Sequence, residues 1–240
     1  MEYNSPLGKE KERKLTSLLD LQPNNKVLEV GCGNGRFLLN LLDTYDINVL
    51  GVDIDSKLIS IANDAAKSRS CEAKYQFTCQ RFDELKIKSQ YYDLFVCNGS
   101  SHAFGTQEAA LPNMAQQAYE LLGRGGRLLL GECYWKKAPP QAFLDFLGQP
   151  ASIYRDYKSN IEVFEKYGFK PLYATSSNQD EWDDFEWRRS RTIHNQIKLD
   201  PNNEELLGKQ SHIQQWLNAY LKWGRDYLGY GFYIFEKVES

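Results

Sequence analysis

The feature that most constrains the fold is a short apolar run followed at once by closely spaced glycines. Residues 27–37 read Val-Leu-Glu-Val-Gly-Cys-Gly-Asn-Gly-Arg-Phe, and Leu38, Leu41 and Leu42 continue at helical spacing. Glycines permit positive φ and let a ligand approach bare backbone, while a helix start offers unpaired N–H groups. The segment therefore predicts a strand, a tight turn and a helix that together bind a nucleotide cofactor.

Strand-like runs alternate with helical patterns through the first half of the chain. The strands are predicted at residues 27–30, 48–52, 74–77, 93–97 and 127–130. Helical spacing recurs over 58–65 and 111–122, where Gly123 is expected at the C′ position, and an opening helix around Leu15–Leu19 would end before Pro23. The alternation predicts an α/β fold: a Rossmann-like, doubly wound, mostly parallel sheet with helices on both faces and ligands at the carboxyl ends of its strands.

The pattern changes in the second half of the chain. Residues 133–165 and 178–226 mix aromatic and charged residues, and we interpret them as a helical cap and not as separate domains. Two further strands are predicted at 169–174 and 230–236. Pro171 is unusual within a strand. We therefore expect a single domain over residues 1–240 with about seven strands.

Composition excludes several classes of protein. The chain of 240 residues has 29 Lys and Arg against 32 Asp and Glu, and 42% of its residues are hydrophobic. Such a chain can form a sizeable core, and it lacks the net positive charge of a dedicated nucleic-acid binder. No run of about 18 apolar residues marks a membrane span, and the charged residues 1–14 do not resemble a secretion signal. We therefore expect a cytoplasmic protein without a nucleic-acid or membrane partner; its oligomeric state is not predicted.

Neither the cysteines nor the histidines indicate a metal site or a disulfide framework. The five cysteines are Cys32, Cys71, Cys79, Cys97 and Cys133, and no two of them form a CxxC pair. The three histidines, His102, His194 and His212, lie far apart in the sequence. We therefore expect no bound metal.

The spacing of the glycines separates two classes of nucleotide cofactor. A dinucleotide fingerprint has the form G-x-G-x-x-G, but here Gly35 comes one residue early and Arg36 stands where the pattern requires glycine. An NAD(P)-dependent oxidoreductase is therefore the alternative interpretation and not the first one.

The segment from Glu29 to Gly35, E-V-G-C-G-N-G, resembles the first motif of the class I S-adenosylmethionine-dependent methyltransferases. A second motif supports the resemblance, because Asp53 closes the next strand 22 positions after Gly31, where that family places an acid on the ribose hydroxyls. A carboxylate suits this contact, since its two oxygens can accept from both hydroxyls. Asp55 is expected to cap the following helix.

The resemblance implies a set of cofactor-binding residues. Ile54 would pack on the adenine, Gly31 and Gly33 would border the methionine part, and Glu29 would brace the loop or contact the amino group of the cofactor. The other residues of the first motif and one residue after the fourth strand complete this part of the set: Cys32, Asn34, Gly35 and Asn98.

The third family motif departs from the usual pattern. The family usually has an acidic residue after the third strand, whereas this chain reads Thr78-Cys79-Gln80-Arg81-Phe82-Asp83. Either Gln80 or a backbone group makes the adenine contact in place of the acid, or the acidic position of the motif is shifted to Asp83. Arg81 and Phe82 are further candidates for adenine contact, with surface packing as the alternative.

Candidates for catalysis lie in the loops after the fourth and fifth strands. His102 can hold or deprotonate a nucleophile near neutral pH, and its alternative role is to tie the loop to nearby backbone. Tyr134 is the second catalytic candidate, and Glu132 and Trp135 are candidates for orienting the acceptor. These loops, with residues 223–229, resemble a largely uncharacterised subgroup of small-molecule methyltransferases.

Two motifs that are absent from the sequence limit the classes of methyl acceptor to be expected. Many nucleic-acid methyltransferases carry an Asn/Asp-Pro-Pro-Tyr tetrad after the fourth strand, but this chain reads Asn98-Gly99-Ser100-Ser101. No carboxylate cluster suggests a magnesium site, because we interpret the acidic run from Asp180 to Glu186 as a solvated helix face.

Four aromatic residues recur on one predicted helical face: Trp216, Tyr220, Trp223 and Tyr227. They form either part of the core or a wall of the substrate pocket. In a pocket, aromatic faces would favour the sulfonium cation or an apolar acceptor.

The sequence therefore predicts an enzyme that moves a methyl group from S-adenosylmethionine to a small-molecule acceptor. An NAD(P)-dependent oxidoreductase and a non-catalytic S-adenosylmethionine-binding protein are the alternatives. Since the sulfonium is already an activated electrophile, alignment is the main task of such a protein, and a catalytic side chain is harder to predict than the cofactor site.

Overall fold

The computed structural model describes residues 3–67, 69 and 74–238, and its strands form one seven-stranded sheet. The strands are β1 (Lys26–Val30), β2 (Asn48–Asp53), β3 (Tyr75–Cys79), β4 (Tyr92–Asn98), β5 (Leu122–Trp135), β6 (Phe169–Ser176) and β7 (Leu228–Lys237). Their order across the sheet is β3-β2-β1-β4-β5-β7-β6. Neighbours from β3 to β5 are parallel, whereas β7 runs antiparallel to β5 and β6. The predicted Rossmann-like sheet is confirmed as a mixed sheet with two antiparallel pairings.

Helices cover both faces of this sheet. They are α1 (Lys9–Ser17), α2 (Arg36–Leu42), α3 (Ser56–Lys67), α4 (Ala110–Leu121), α5 (Gln141–Leu147), α6 (Tyr157–Lys166), α7 (Gln179–Leu199), α8 (Glu204–Ala219) and α9 (Arg225–Tyr227). Leu15, Leu38 and Ile59 bring the first three helices into the core on one face. Met114 and Phe164 bring α4 and α6 into a second core on the other face.

The middle of the central strand β4 is apolar because both of its faces are covered. In β4, Leu94 and Val96 belong to one core, and Phe95 and Cys97 belong to the other. Successive side chains of a strand point to opposite faces, so a strand covered on both sides has no polar position in its middle. Polar groups with a chemical role are therefore expected at the strand ends.

The predicted strands are all present, and the end of the fourth helix lies where it was predicted. The strand predicted at 127–130 is the middle of the much longer β5. Gly123 occupies the predicted C′ position, because α4 ends at Leu121 and Leu122 is the C-cap residue, but Gly123 does not have the positive φ of a left-handed glycine cap. Leu122 pairs with Tyr92 of β4, so the helix runs directly into the next strand without a glycine turn.

Position in the sheet explains the proline in β6. This strand lies at the edge, and its register to β7 shifts between Pro171 and Tyr173. An edge strand with a local irregularity accommodates a residue that has no N–H to donate. The strand predicted at 169–174 is therefore confirmed despite its proline.

The second cap segment begins with a well-capped helix. The Asn178 side chain accepts from the Glu181 N–H, and the Glu181 carboxylate accepts from the Asn178 N–H, at 2.9 and 2.8 Å. The acidic run inside α7 is only partly a solvated face. Asp180 and Asp184 are exposed, but Glu186 is buried at 2% exposure, so our interpretation of the run is wrong at that position.

Within residues 3–67, 69 and 74–238, each helix is too short or too polar to serve as a membrane span. The same residues contain no group of three or more His, Cys, Asp and Glu side chains arranged to hold a metal ion. Cys71 lies outside the described residues.

The buried amine of Lys237 links the end of β7 to the end of α4, and we expect it to stabilise the fold. Its Nζ donates to the carbonyl oxygens of Tyr119 at 2.6 Å and Leu122 at 2.7 Å. Lys237→Met keeps the aliphatic stem but removes this donor from both carbonyls. We expect the free energy of unfolding, measured with urea, to fall by about 2–4 kcal/mol.

Lys170→Met is the matched control, because Lys170 is an exposed lysine of the adjacent edge strand. We expect this control to change the free energy of unfolding by about 0.5 kcal/mol or less. Equal losses in the two variants would show that Lys237 does not stabilise the junction of α4 and β7.

Candidate functional site

The carboxyl ends of the parallel strands bring the predicted site residues to one edge of the sheet. Val30 at the end of β1 pairs with Val52 of β2, and Asn98 at the end of β4 pairs with Gly131 of β5. The glycine-rich turn follows β1, and the loops after β2, β3 and β4 lie beside it in the strand order. This edge is where ligands bind in open α/β sheets.

The glycine-rich turn has a conformation that requires glycine at two positions. The Gly31 N–H donates to the Val52 carbonyl at 2.8 Å. Gly31 has φ of +74°, and a Cβ at this position would clash with the side chain of Ser100. Gly35 has φ of +72°, and a Cβ there would lie 2.8 Å from the ring of Phe77. The turn therefore leaves bare backbone directly beside the loop after β4.

Asp53, the acid predicted to bind the ribose, also holds the turn in place. Its Oδ2 accepts from the Gly33 N–H at 2.8 Å, and its Oδ1 accepts from the Asp55 N–H at 2.9 Å. Asp55 accepts from the N–H groups of Lys57 and Leu58, which confirms it as the cap of α3. Because a carboxylate accepts about four hydrogen bonds, Asp53 retains capacity for sugar hydroxyls. Its contact with Gly33 was not predicted from the sequence.

A buried carboxylate lies beneath the turn. Glu29 is 3% exposed, and its Oε2 has no hydrogen-bond partner in the described part of the chain. Burial, and secondarily the charge of Asp53, raise the pKa of Glu29 well above its ordinary value. A protonated Glu29, or one that receives a donor from a ligand, suits this position better than an isolated carboxylate.

Two residues of the predicted set have side chains that stabilise the turn itself. Cys32 is buried in the core, and burial raises the pKa of its thiol. The Asn34 Oδ1 accepts from the Arg36 N–H at 3.2 Å, at the start of α2. The Cys32 N–H also donates to the Val52 carbonyl, at 3.1 Å, so Cys32 serves mainly to hold the turn.

A cleft of about 200 Å³ opens above the turn. It is lined by residues of four segments at the strand ends: Val30, Gly31, Val52, Asp53, Ile54, Gln80, Arg81, Phe82, Asp83, Ser100, His102 and Ala103. Five residues of the predicted cofactor set lie in this lining, and so do both alternatives for the third motif, Gln80 and Asp83.

The far wall of the cleft offers apolar surface. Ile54 is 71% exposed, so its side chain is available to pack on a ligand. The ring of Phe82 packs on that of Phe104 with centroids 4.7 Å apart, which fixes its position. Arg81 forms an exposed ion pair with Asp83 at 2.8 Å and is held beside the cleft.

A larger cavity of about 550 Å³ lies on the other side of His102. Its walls come from residues 4–6, the loop after β4, the end of β5 and the cap helices α7 and α8. His102 is exposed and belongs to the lining of both cavities. It therefore stands between a cleft that holds the predicted cofactor residues and a chamber formed largely by the cap.

Asn98, another predicted cofactor residue, links structural segments near this boundary. Its Oδ1 accepts from the Tyr230 hydroxyl at 2.6 Å, and its Nδ2 donates to the Ser5 Oγ at 3.2 Å. Ser5 and Tyr230 line the large cavity, whereas Asn98 lines neither cavity. This geometry supports a role in fixing the N-terminal segment over the site and gives no support to direct cofactor contact.

The end of β5 places a buried carboxylate in the wall of the large cavity. Glu132 is 7% exposed, its Oε1 accepts from the Cys133 N–H at 3.0 Å, and its Oε2 has no hydrogen-bond partner among the described residues. Burial raises the pKa of Glu132 to about 7, against the opposing effects of nearby Ser101 and Arg155. A group with this pKa exchanges protons readily at neutral pH.

A second carboxylate in the wall, Glu186, already has partners. Its Oε1 accepts from the Trp216 Nε1 at 2.9 Å, and its Oε2 pairs with Arg189 at 3.4 Å. Burial raises its pKa above the ordinary value. The neighbouring Trp182 is 4% exposed, and its Nε1 has no acceptor within the described chain. Sequence reasoning missed these residues because their contacts join distant segments of α7 and α8.

Tyr134 and Trp135 do not line either cavity. The ring of Tyr134 packs edge-on against Tyr157 of α6, with centroids 5.1 Å apart. Trp135 is buried, and its Nε1 donates to the Ala151 carbonyl at 2.7 Å. The geometry therefore supports neither Tyr134 as a catalytic residue nor Trp135 as an orienting residue, since cap elements cover both side chains.

The four aromatic residues predicted on one helical face, here called the aromatic stripe, do not all have the same environment: one lines the large cavity and others belong to the core. Trp216 lines the large cavity, whereas Tyr220 is buried and stacks on Trp182. Trp223 packs against the core through α5. A π-helical turn over Tyr220–Gly224 changes the spacing of side chains, so the stripe does not follow the single α-helical face that we predicted.

The part of the chain that contains the turn matches a known family. Residues 27–126 match the family profile described as a methyltransferase domain. Over these residues the chain resembles a methyltransferase domain. A phosphoethanolamine N-methyltransferase 1 of Triticum aestivum is 27% identical over 173 residues, which are 72% of this chain and 34% of that protein. The uncharacterized protein YjhP of Escherichia coli (strain K12) is 21% identical, over 95% of this chain and 91% of YjhP.

A solved structure extends the likeness of fold beyond the methyltransferase domain profile. A SAM-dependent methyltransferase from Geobacter sulfurreducens, in complex with S-adenosyl-L-homocysteine, matches with a TM-score of 0.85 at 21% identity. The match covers 98% of this chain and 93% of that chain, so it includes the cap segments. The chain spans about a third of the length of the wheat relative.

The buried carboxyl of Glu132 makes the stability of the fold depend on pH. Its pKa is about 7 in the folded chain against an ordinary 4.5, so between these values folding keeps a proton that the unfolded chain releases. The free energy of unfolding therefore falls as pH rises through this window. Relative to Glu132→Gln, we expect the wild type to lose about 1–3 kcal/mol between pH 5 and pH 8.

Urea denaturation at both pH values measures this difference. Glu120→Gln makes the same chemical change on an exposed side chain of α4 and is expected to follow the wild type. Parallel pH profiles for the wild type and Glu132→Gln would show that the Glu132 carboxyl is not perturbed by burial.

Proposed function

We propose that this protein transfers a methyl group from S-adenosylmethionine to a small molecule. The observation that carries the proposal is the pair of cavities on either side of His102. One is lined by Gly31 of the glycine-rich turn and by Asp53, and the other is a chamber under the cap. Transfer between two bound molecules needs such an arrangement, because the reacting atoms must meet at a shared boundary.

The residues of the smaller cleft fit an adenosyl cofactor. Bare backbone at Gly31 permits close approach, and Asp53 can accept from the two ribose hydroxyls. Ile54 and Phe82 offer apolar surface for a purine. The buried Oε2 of Glu29 has no donor among the residues that the structure describes, and the amino group of the cofactor would supply one.

Alignment is the main task of the protein in this reaction. When bound, S-adenosylmethionine supplies a methyl group already activated by its positively charged sulfur. His102 borders both cavities and is placed to hold the acceptor or to take its proton. Glu132 lies in the same cavity wall and is the second candidate for contact with the acceptor.

The size of the larger cavity supports a small-molecule acceptor. Its volume of about 550 Å³ lies within the range of about 300–1,000 Å³ that is usual for small-molecule sites. The wheat relative is named for phosphoethanolamine, but the chain spans about a third of that protein. The name alone therefore does not assign the acceptor of this chain.

The organisation of the domain and its location are also proposals. We infer that residues 1–240 act as a single methyltransferase domain, in which the cap segments 133–165 and 178–226 close the acceptor cavity. In support, both segments contribute lining residues to that one cavity. The expected cytoplasmic location stays a prediction.

Isothermal titration calorimetry tests the cofactor class. We expect S-adenosylmethionine and S-adenosylhomocysteine to bind and NAD not to bind. Asp53→Asn is expected to weaken S-adenosylhomocysteine binding about ten- to hundredfold, because one amide oxygen cannot replace both carboxylate oxygens. Asp55→Asn is the matched control, since asparagine caps a helix as well as aspartate does, and its affinity should stay close to that of the wild type.

The same titrations discriminate the alternatives. Preferential binding of NAD would favour the oxidoreductase. Binding of S-adenosylmethionine without formation of S-adenosylhomocysteine from any acceptor in a metabolite library would favour a non-catalytic binding protein. Equal affinities of the Asp53→Asn variant and the wild type would contradict the role given to Asp53.

A further inference from the structure

Glu132 presents a buried carboxyl group to the large cavity. The side chain is nine-tenths buried, its Oε2 has no hydrogen-bond partner in the part of the chain that the structure describes, and it lines the cavity next to Ser101. A buried carboxylate is costly unless it is protonated or receives a donor or a cation. A bound molecule that offers a hydrogen-bond donor or a cation at this position would therefore stabilise the Glu132 carboxylate.

No charged group of the described lining forms an ion pair with Glu132, although the charge of nearby Arg155 partly opposes the rise of its pKa. Arg189 pairs with Glu186 at 3.4 Å, so these two charges balance each other. Arg155 lies behind the cavity, and its Nη2 donates to a backbone carbonyl at 2.8 Å. His102, which borders both cavities, carries no fixed charge. The lining then has a net negative charge whenever Glu132 is ionised.

The remaining walls of the cavity are strongly aromatic. Tyr154, Trp216 and Tyr230 line it together with Trp182 and Phe185. Aromatic faces attract both cations and apolar groups. The buried Nε1 of Trp182 lacks an acceptor among the described residues, so this wall offers a polar contact to a ligand as well.

On the basis of the proposed function, we infer that the methyl acceptor is an apolar primary or secondary amine, bound as a cation against Glu132. Its ring or chain lies on the aromatic walls, and its nitrogen receives the methyl group. Glu132 is then a catalytic residue, because it binds the reacting nitrogen and takes its proton.

The proton transfer is required because an ammonium ion has no lone pair. The Glu132 carboxylate takes one proton from nitrogen and becomes a carboxylic acid, which leaves a neutral amine. The nitrogen lone pair forms the bond to the methyl carbon as the carbon–sulfur bond breaks and its electron pair stays on sulfur. The products are a methylated ammonium ion and S-adenosylhomocysteine. A Glu132 pKa of about 7 is compatible with this proton exchange.

Phosphorylated amines form a different class, for which this cavity is poorly charged. A phosphate would need a cation, but Arg189 already pairs with Glu186 and Glu132 would repel it. We therefore expect phosphoethanolamine to bind more weakly than an apolar amine, although relatives of this chain are named for it.

Calorimetry on the protein loaded with S-adenosylhomocysteine tests the inference with three matched pairs of probes. They are benzylamine and benzyl alcohol, phenethylamine and phenethyl alcohol, and tryptamine and tryptophol. At neutral pH we expect at least one amine to bind about tenfold or more tightly than its alcohol, the size of effect that a buried charge pair produces. Phosphoethanolamine is the anionic comparison. Mass spectrometry after incubation with S-adenosylmethionine should then detect the N-methylated amine.

Glu132→Gln should abolish the preference for the amine and leave the affinity for S-adenosylhomocysteine unchanged, which also shows that the variant is folded. Glu120→Gln, the exposed control on α4, should retain the preference. Should Glu132→Gln fail to fold, the comparison of amine and alcohol in the wild type decides by itself.

The outcomes separate this inference from the proposed function. If the wild type does not bind S-adenosylhomocysteine, the proposed function fails. If S-adenosylhomocysteine binds but no amine does, if no amine is preferred to its alcohol, if phosphoethanolamine binds most tightly, or if Glu132→Gln keeps the preference, only the amine inference is overturned.

Discussion

The hydrogen bond from the Gly33 N–H to the carboxylate of Asp53 joins the two segments on which the cofactor cleft depends. It sets the turn after β1 against the end of β2, where Gly31 also donates to Val52. The acid that is expected to receive the ribose therefore also shapes the backbone beside it. The Asp55 N–H donates to the same carboxylate, and the Asp55 side chain caps α3. The Asp53 side chain therefore fixes the turn, the end of β2 and the start of α3 relative to each other.

Buried carboxylates mark both sides of the site. Glu29 lies beneath the cofactor cleft and Glu132 lies in the wall of the acceptor cavity, and an oxygen of each lacks a partner among the described residues. A covered parallel sheet has little reason to hold such groups for stability, because burying an unpaired carboxylate is costly. Perturbed acids in cavities are common at functional sites. Their positions near the ends of β1 and β5 agree with a division into donor and acceptor chambers.

Features that depend on neighbouring residues were predictable from the sequence, and features that depend on distant contacts were not. The glycine-rich turn, Asp53 at the strand end and the cap at Asp55 follow from residues a few positions apart. Burial of Glu186 depends on Trp216, which lies on another helix. Tyr134 packs edge-on against Tyr157 of α6 and lines neither cavity. In both cases the arrangement of the cap helices determines the environment of the side chain, and the local sequence pattern does not encode that arrangement.

A crystal structure with S-adenosylhomocysteine is the most direct test of the idea that the turn and Asp53 grip an adenosyl group. We expect the sugar hydroxyls on the Asp53 carboxylate, the adenine beside Ile54, and the sulfur at the boundary formed by His102. An empty cleft in the presence of the compound, or a bound compound whose sugar faces away from Asp53, would contradict the proposed cofactor site.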